Sequence, residues 1–173
     1  MSEAEAAKTK PVPVKNYSKE VSLQGVTFRI ESPNNEGDNS VTITPVGLEH
    51  GEPYKQKVVG QVVDVKCDDL DVSGAPEVYV IVRGPEPDAK GTVVACAANG
   101  KKSMTPINIP ADTPEIANGY SGHDEYEAME GTFVRRFTVY EDGKPTKKIR
   151  QIQYKLKPGE ASWQLKVDKT IEY

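Results

Sequence analysis

Residues 132–173, TFVRRFTVYEDGKPTKKIRQIQYKLKPGEASWQLKVDKTIEY, decide the fold class of this chain. Three β-like runs lie here, separated by the turn-forming segments EDGKPT and PGEA. Ile149, Ile152, Tyr154 and Leu156, then Trp163, Leu165 and Val167, keep a mostly two-residue period. That period puts one face of each strand against a core and the other toward water. The stretch reads as a meander.

The same grammar runs upstream. In VSLQGVTFRIES, Leu23, Val26, Phe28 and Ile30 form the apolar set of a first strand or hairpin, with a break at Gly25. A second strand, VTITPV, follows the turn-rich SPNNEGDN. KVVGQVVDVKC, with the β-branched Val58, Val59, Val62, Val63 and Val65, reads as a third, largely buried strand. Val78 to Val82 makes another, and TVVACAAN ends in Asn99-Gly100, a reversal signal. The prolines of residues 101–119 keep that segment irregular, apart from a short helix near Asp112 to Ala117, capped by Asp112 or Thr113 with Pro114 in its first turn. The expected fold is all-β, an antiparallel sandwich or flattened barrel of about eight strands. Residues 1–17, with Pro11 and Pro13, are expected to be a flexible arm, and residues 18–173 one domain.

With 173 residues and a net charge of −4, the chain lacks the clustered basic and aromatic surface of a nucleic-acid binder, and it has no apolar run long enough to cross a bilayer. Its two cysteines, Cys67 and Cys96, fall at the ends of neighbouring β-like runs, so a disulfide is expected. Such a bridge would close a loop of about thirty residues and add about 3 to 4 kcal/mol. With two histidines and no CxxC pair, a zinc site has no support.

Two loops hold chemistry. NGYSGHDEYEAMEG, Asn118 to Gly131, is too polar for a strand and lacks the periodicity of a helix. Gly119 and Gly122 bracket Tyr120 and Ser121, and His123, Asp124, Glu125 and Tyr126 follow, mixing hydrogen-bond donors with acceptors. Two readings stay open: a recognition loop, or half-buried tyrosines and a capping His-Asp pair behind an acidic solvated rim. In the second loop, Asp69, Asp71, Ser73, Gly74 and Glu77 stand in a calcium-loop order just before a strand. An EF-hand, however, needs flanking helices and a Glu at the twelfth position, whereas Glu77 is the ninth. A tight turn whose Asp side chains accept from turn amides accounts for the same residues.

No G-x-S-x-G, Walker or HExxH motif is present, and Asp124 with Glu130 is an incomplete case for a glycosidase pair, so the chain is not expected to be an enzyme. Three blocks together, DLDVSGAPEVYVIV (Asp69 to Val82), GYSGHDEYEAMEGTFVRRF (Gly119 to Phe137) and RQIQYKL (Arg150 to Leu156), resemble the periplasmic inhibitors of invertebrate-type lysozyme of Gram-negative bacteria. The resemblance spans about residues 20–157. It implies a β-sandwich-like fold, export to the periplasm with the signal peptide absent from this sequence, often a homodimer, and a loop inserted into the lysozyme cleft. In such inhibitors a Ser-Gly pair is followed within a few residues by Tyr. Ser121, Gly122 and Tyr126 match it, with a longer spacing, and Tyr120 is the other candidate aromatic. A lysozyme cleft offers two carboxylates, so donors such as Ser121, Tyr126, the Gly122 amide and His123 would suit it, while Asp124 and Glu125 should turn away. The alternative is a calcium-stabilised adhesion or carbohydrate-binding module using Asp69, Asp71, Ser73 and Glu77.

Overall fold

A computed structural model of the chain describes residues 13–160 and 162–173. The fold is all-β, with twelve strands and one short helix among the described residues. Strands β1 (Tyr17–Leu23), β2 (Val26–Ser32), β3 (Asp38–Val46) and β4 (Tyr54–Val59) form an antiparallel sheet in chain order. The others are β5 (Gln61–Asp68), β6 (Glu77–Arg83), β7 (Gly91–Asn99), β8 (Ser103–Asn108), β9 (Glu125–Met129), β10 (Thr132–Glu141), β11 (Lys144–Pro158) and β12 (Trp163–Glu172). They form an eight-stranded sheet in the order β5-β6-β7-β8-β12-β11-β10-β9. Its edge strands β5 and β9 come into contact, so the sheet nearly closes on itself. All its pairings are antiparallel except the short β8/β12 seam, where Ile107 faces Trp163. The meander of residues 132–173 is β10, β11 and β12.

Strands β6 and β7 are the centre of the molecule. Val78, Val80, Val82, Val94, Cys96 and Ala98 point to a core shared with Val26, Phe28, Ile30, Val41 and Ile43 of the four-stranded sheet. The alternate residues Tyr79, Ile81, Val93, Ala95 and Ala97 point to a second core with Phe133, Phe137, Ile152, Leu156 and Leu165. A strand buried on both faces must be apolar at consecutive positions, as EVYVIV is after its first residue. Each such fully buried Val or Ile side chain contributes about 1.5 to 3 kcal/mol.

The run KVVGQVVDVKC is two strands of different sheets, divided at Gly60. Gly60 has φ +118, and a Cβ there would fall 2.4 Å from the Arg83 carbonyl oxygen, so only glycine fits this crossing. The β4 half is covered on one face, with Val58 buried and Val59 60% exposed, whereas in β5 Val62 and Val65 enter the first core and Val63 packs against the second. The turn before β3 ties the sheets together. Asn34, fully buried, accepts from the Val62 amide at 2.7 Å and donates to the Val62 carbonyl at 3.1 Å. Asn39 donates to the Gly60 carbonyl at 2.9 Å and accepts from Ser32 at 3.1 Å. These bonds satisfy backbone groups that the crossing would otherwise strand in the interior.

Most of the expected flexible arm, residues 1–12, lies outside the described residues. Beyond it the chain is already docked: the Val14 carbonyl accepts from Asn34, the Asn16 amide donates to the Pro33 carbonyl, and Tyr17 opens β1.

The expected disulfide does not form: both cysteines are free thiols. Cys67 and Cys96 pair with the same residue, Val78, from opposite sides of β6. Their Cα atoms are thus separated by two interstrand spacings, roughly 9.6 Å, beyond the ~7 Å that a disulfide spans. The run Val78 to Val82, which stands between them in the sequence, also stands between them in the sheet as β6. Burial pushes the Cys67 thiol up to about 11 and the Cys96 thiol up to about 12. The folded protein is therefore expected to resist a thiol-specific disulfide reagent at pH 8 and to release two thiols on unfolding, without prior reduction. Detection of none in denaturant would restore the bridge.

Candidate functional site

The polar loop splits in two. Its second half is β9, an edge strand paired with β10 from Glu125 opposite Arg136 to Met129 opposite Thr132. Acidic residues are tolerated there because Glu125, Glu127 and Met129 face solvent while Tyr126 and Ala128 face in, the alternation of an edge strand. The first half, Gly119 to Asp124, follows α1 (Pro114–Ala117), whose N-cap Thr113 accepts from the Ile116 amide as the sequence suggests.

Asp124 organises this half. Its side chain has 0% exposure. One oxygen accepts from the Tyr120 hydroxyl and the Gly91 amide, both at 2.8 Å. The other accepts from the Tyr126 hydroxyl at 2.8 Å and from Arg135 Nε at 2.9 Å. Four donors therefore saturate a buried carboxylate. Arg135, also buried, completes its fork on Asp112 at 2.7 and 3.2 Å and lies over the rings of Tyr120 and Phe137, with its Cζ 4.8 and 5.1 Å from their centroids. Burial and the Asp124 charge raise both tyrosine pKa values, so the phenols stay protonated as donors. Behind them Tyr126 stacks on Phe133 at 5.7 Å, and Phe133 on Tyr79 at 4.5 Å.

A second arginine holds the loop's entry. Arg150 donates to the carbonyls of Ile116 and Asn118 at the end of α1 and bridges to Glu172 at 2.9 Å. The Tyr140 amide donates to the Gly119 carbonyl at 2.7 Å. On the other side, Gly122 abuts the β6–β7 connection: a Cβ there would fall 1.8 Å from the Asp88 carbonyl oxygen. The His123 amide donates to the Asp88 and Ala89 carbonyls, and its ring Nε2 lies 2.7 Å from the Pro87 carbonyl. Two loops, 84–90 and 119–124, are thus one pinned unit. Beside it runs a groove of about 610 Å³ whose lining includes Tyr54, Gln56, Asp112, Tyr126 and Arg135.

The candidates Tyr120, Ser121, Gly122, His123 and Tyr126 are close together, and the two tyrosines are half-buried, one of the two readings left open by the sequence. The two tyrosine hydroxyls are spent on Asp124, Gly122 is a packing contact, and Ser121 is half-buried with no hydrogen bond to any described residue. Asp124 turns inward onto Tyr120, Tyr126 and Arg135, and Glu125 is exposed. Arg135, Arg150 and the 84–90 loop were not singled out by the sequence, and Asp112, read there as a possible helix cap, instead receives Arg135. One signal for Arg135 was present: in FVRRF it shares the inward face with Phe133 and Phe137, where a charge demands a buried partner.

The loop between β5 and β6 is a turn around Asp69, whose carboxylate accepts from the Ser73 and Gly74 amides and from Gln24. Burial opposes its ionisation, but these bonds hold it below the ordinary carboxylate value. Glu77 lies behind it, 1% exposed, and burial with the charges of Asp71 and Asp69 pushes it up to about 8. Comparison with protein-family models finds no match, and comparison with curated proteins finds none either.

Proposed function

We propose that this protein is an inhibitor of invertebrate-type lysozyme, acting outside the cytoplasm in the periplasm, and that the pinned loop 119–124 is what it presents to the enzyme. The resemblance of Gly119 to Phe137 to such inhibitors motivates the reading. The observation that carries it is the anchoring of the loop on Asp124, Arg135 and Asp88, which orders the element before binding. A rigid loop avoids the ordering entropy that otherwise weakens a complex. Its inward carboxylate leaves Ser121 and the other ring nitrogen of His123 to face an acidic cleft, while the tyrosines act as buttresses.

The test is binding of the purified protein to an invertebrate-type lysozyme by calorimetry, with and without a chitin oligosaccharide filling the cleft. One-to-one binding that the oligosaccharide abolishes is expected. Binding indifferent to the oligosaccharide would exclude loop insertion. Within the loop, Ser121→Ala with His123→Ala should weaken binding by about 1 to 3 kcal/mol, the range for lost interface hydrogen bonds and contacts. Tyr126→Phe should act instead on stability, because its hydroxyl serves Asp124.

A further inference from the structure

Glu77 is the first residue of β6 and is 1% exposed. Its Oε1 accepts from the Leu70 amide at 2.8 Å and from the Tyr79 hydroxyl at 3.4 Å. Its Oε2 is buried with no hydrogen-bond partner, the one such side-chain atom among the described residues. A buried carboxylate oxygen left alone costs free energy that a fold ordinarily avoids. It lies beside two further carboxyl groups: Asp69, Asp71 and Glu77 each bring one oxygen within 4.8 Å of the others. No Lys or Arg among the described residues forms an ion pair with any of the three. The arrangement gathers three carboxyl groups around a point and supplies no counterion.

We infer that the β5–β6 loop is a calcium site, with Asp69 and Asp71 on the turn and the buried Glu77 closing it from the strand. The donors are all oxygen, which selects a hard cation over zinc or copper. Calcium tolerates an irregular ligand set drawn from a turn and a strand, whereas magnesium demands a near-octahedral one. Gly74, φ +86, stands at the sixth position of the loop, where an EF-hand also needs its sharp turn. Here β6 starts at once, so a glutamate at the ninth position comes back to the turn without the exiting helix that an EF-hand needs. Ser73, bonded through its hydroxyl to Asp69, is a further oxygen at the rim. The site is independent of lysozyme binding and would lock the turn onto the central strand.

The experiment uses the full chain stripped with a chelator and then titrated with calcium, magnesium or terbium. Calcium should raise the melting temperature saturably, by about 5 °C or more at a hundredfold excess over its dissociation constant. Terbium should emit on tyrosine excitation, since Tyr79 touches Glu77, and calcium should quench that emission by displacement. Glu77→Gln should lose both responses. Asp71→Asn, on the half-exposed turn, keeps the core intact and should weaken calcium at least tenfold. The inference is overturned by no melting shift up to about 10 mM calcium, well above the roughly 10⁻³ M of the weakest extracellular sites. A response that both variants retain, or a magnesium response matching calcium, overturns it equally.

Discussion

Arg135→Met is expected to cost about 3 to 5 kcal/mol of stability, the range for removing one partner of a buried ion pair. The methionine keeps most of the apolar stem, so the loss isolates the charge. Asp124, with no exposure, would then hold an ion against two phenols and one amide with no cation beside it. Asp112, 24% exposed, can turn to water when its guanidinium goes, so the cost falls mainly on Asp124. Urea unfolding of Arg135→Met, Asp124→Asn and the double variant forms the check. The two single losses should sum to more than the double loss by about 0.5 to 3 kcal/mol, the coupling of residues in one network. The loss should hold at high salt, because a buried pair is poorly screened. A cost under about 1 kcal/mol would mean that the pair behaves like an exposed one.

Gly122→Ala should separate the two loops. Two penalties add at this residue: φ is +83, and the new Cβ would lie 1.8 Å from the Asp88 carbonyl oxygen. Backbone on both sides must move, since neither obstacle is a flexible side-chain end. The expected cost is about 2 to 4 kcal/mol, combining the left-handed backbone penalty with overpacking. The His123 amide would lose its carbonyl partners at Asp88 and Ala89, so exchange protection at that amide should fall sharply. Amide exchange on the variant reads this directly. Affinity for lysozyme should fall with it, while the Asn34 bonds between the sheets remain protected. Unchanged protection at His123 would place the rigidity of the loop elsewhere.

The class of the fold was legible because it rests on local alternation. β2, with Val26, Phe28 and Ile30 inward, and β11, with Ile152, Tyr154 and Leu156 inward, show the two-residue period of one-sided strands. Partner choice was not legible. Nothing in KVVGQVVDVKC marks Gly60 as a passage between sheets; the reason is the approach of the Arg83 carbonyl, 23 residues later in the chain. The same blindness produced the expected disulfide, since adjacency of Cys67 and Cys96 depended on which strand lay between them. At the loop, the half-buried tyrosines were one of two readings that the sequence left open, and its own residue types offered no means of choosing between them. A Tyr hydroxyl near an Asp reads alike whether it serves a partner or a buried carboxylate; only the inward register of Arg135 distinguishes them.

The inhibition assay tests the central claim most directly. Purified protein is titrated into an invertebrate-type lysozyme acting on bacterial cell walls, with chicken-type and goose-type enzymes in parallel. The expected result is stoichiometric loss of the invertebrate-type activity, with the Gly122→Ala protein shifted to higher concentration. Full lytic activity of that enzyme at a large excess of folded protein would contradict the inhibitor reading.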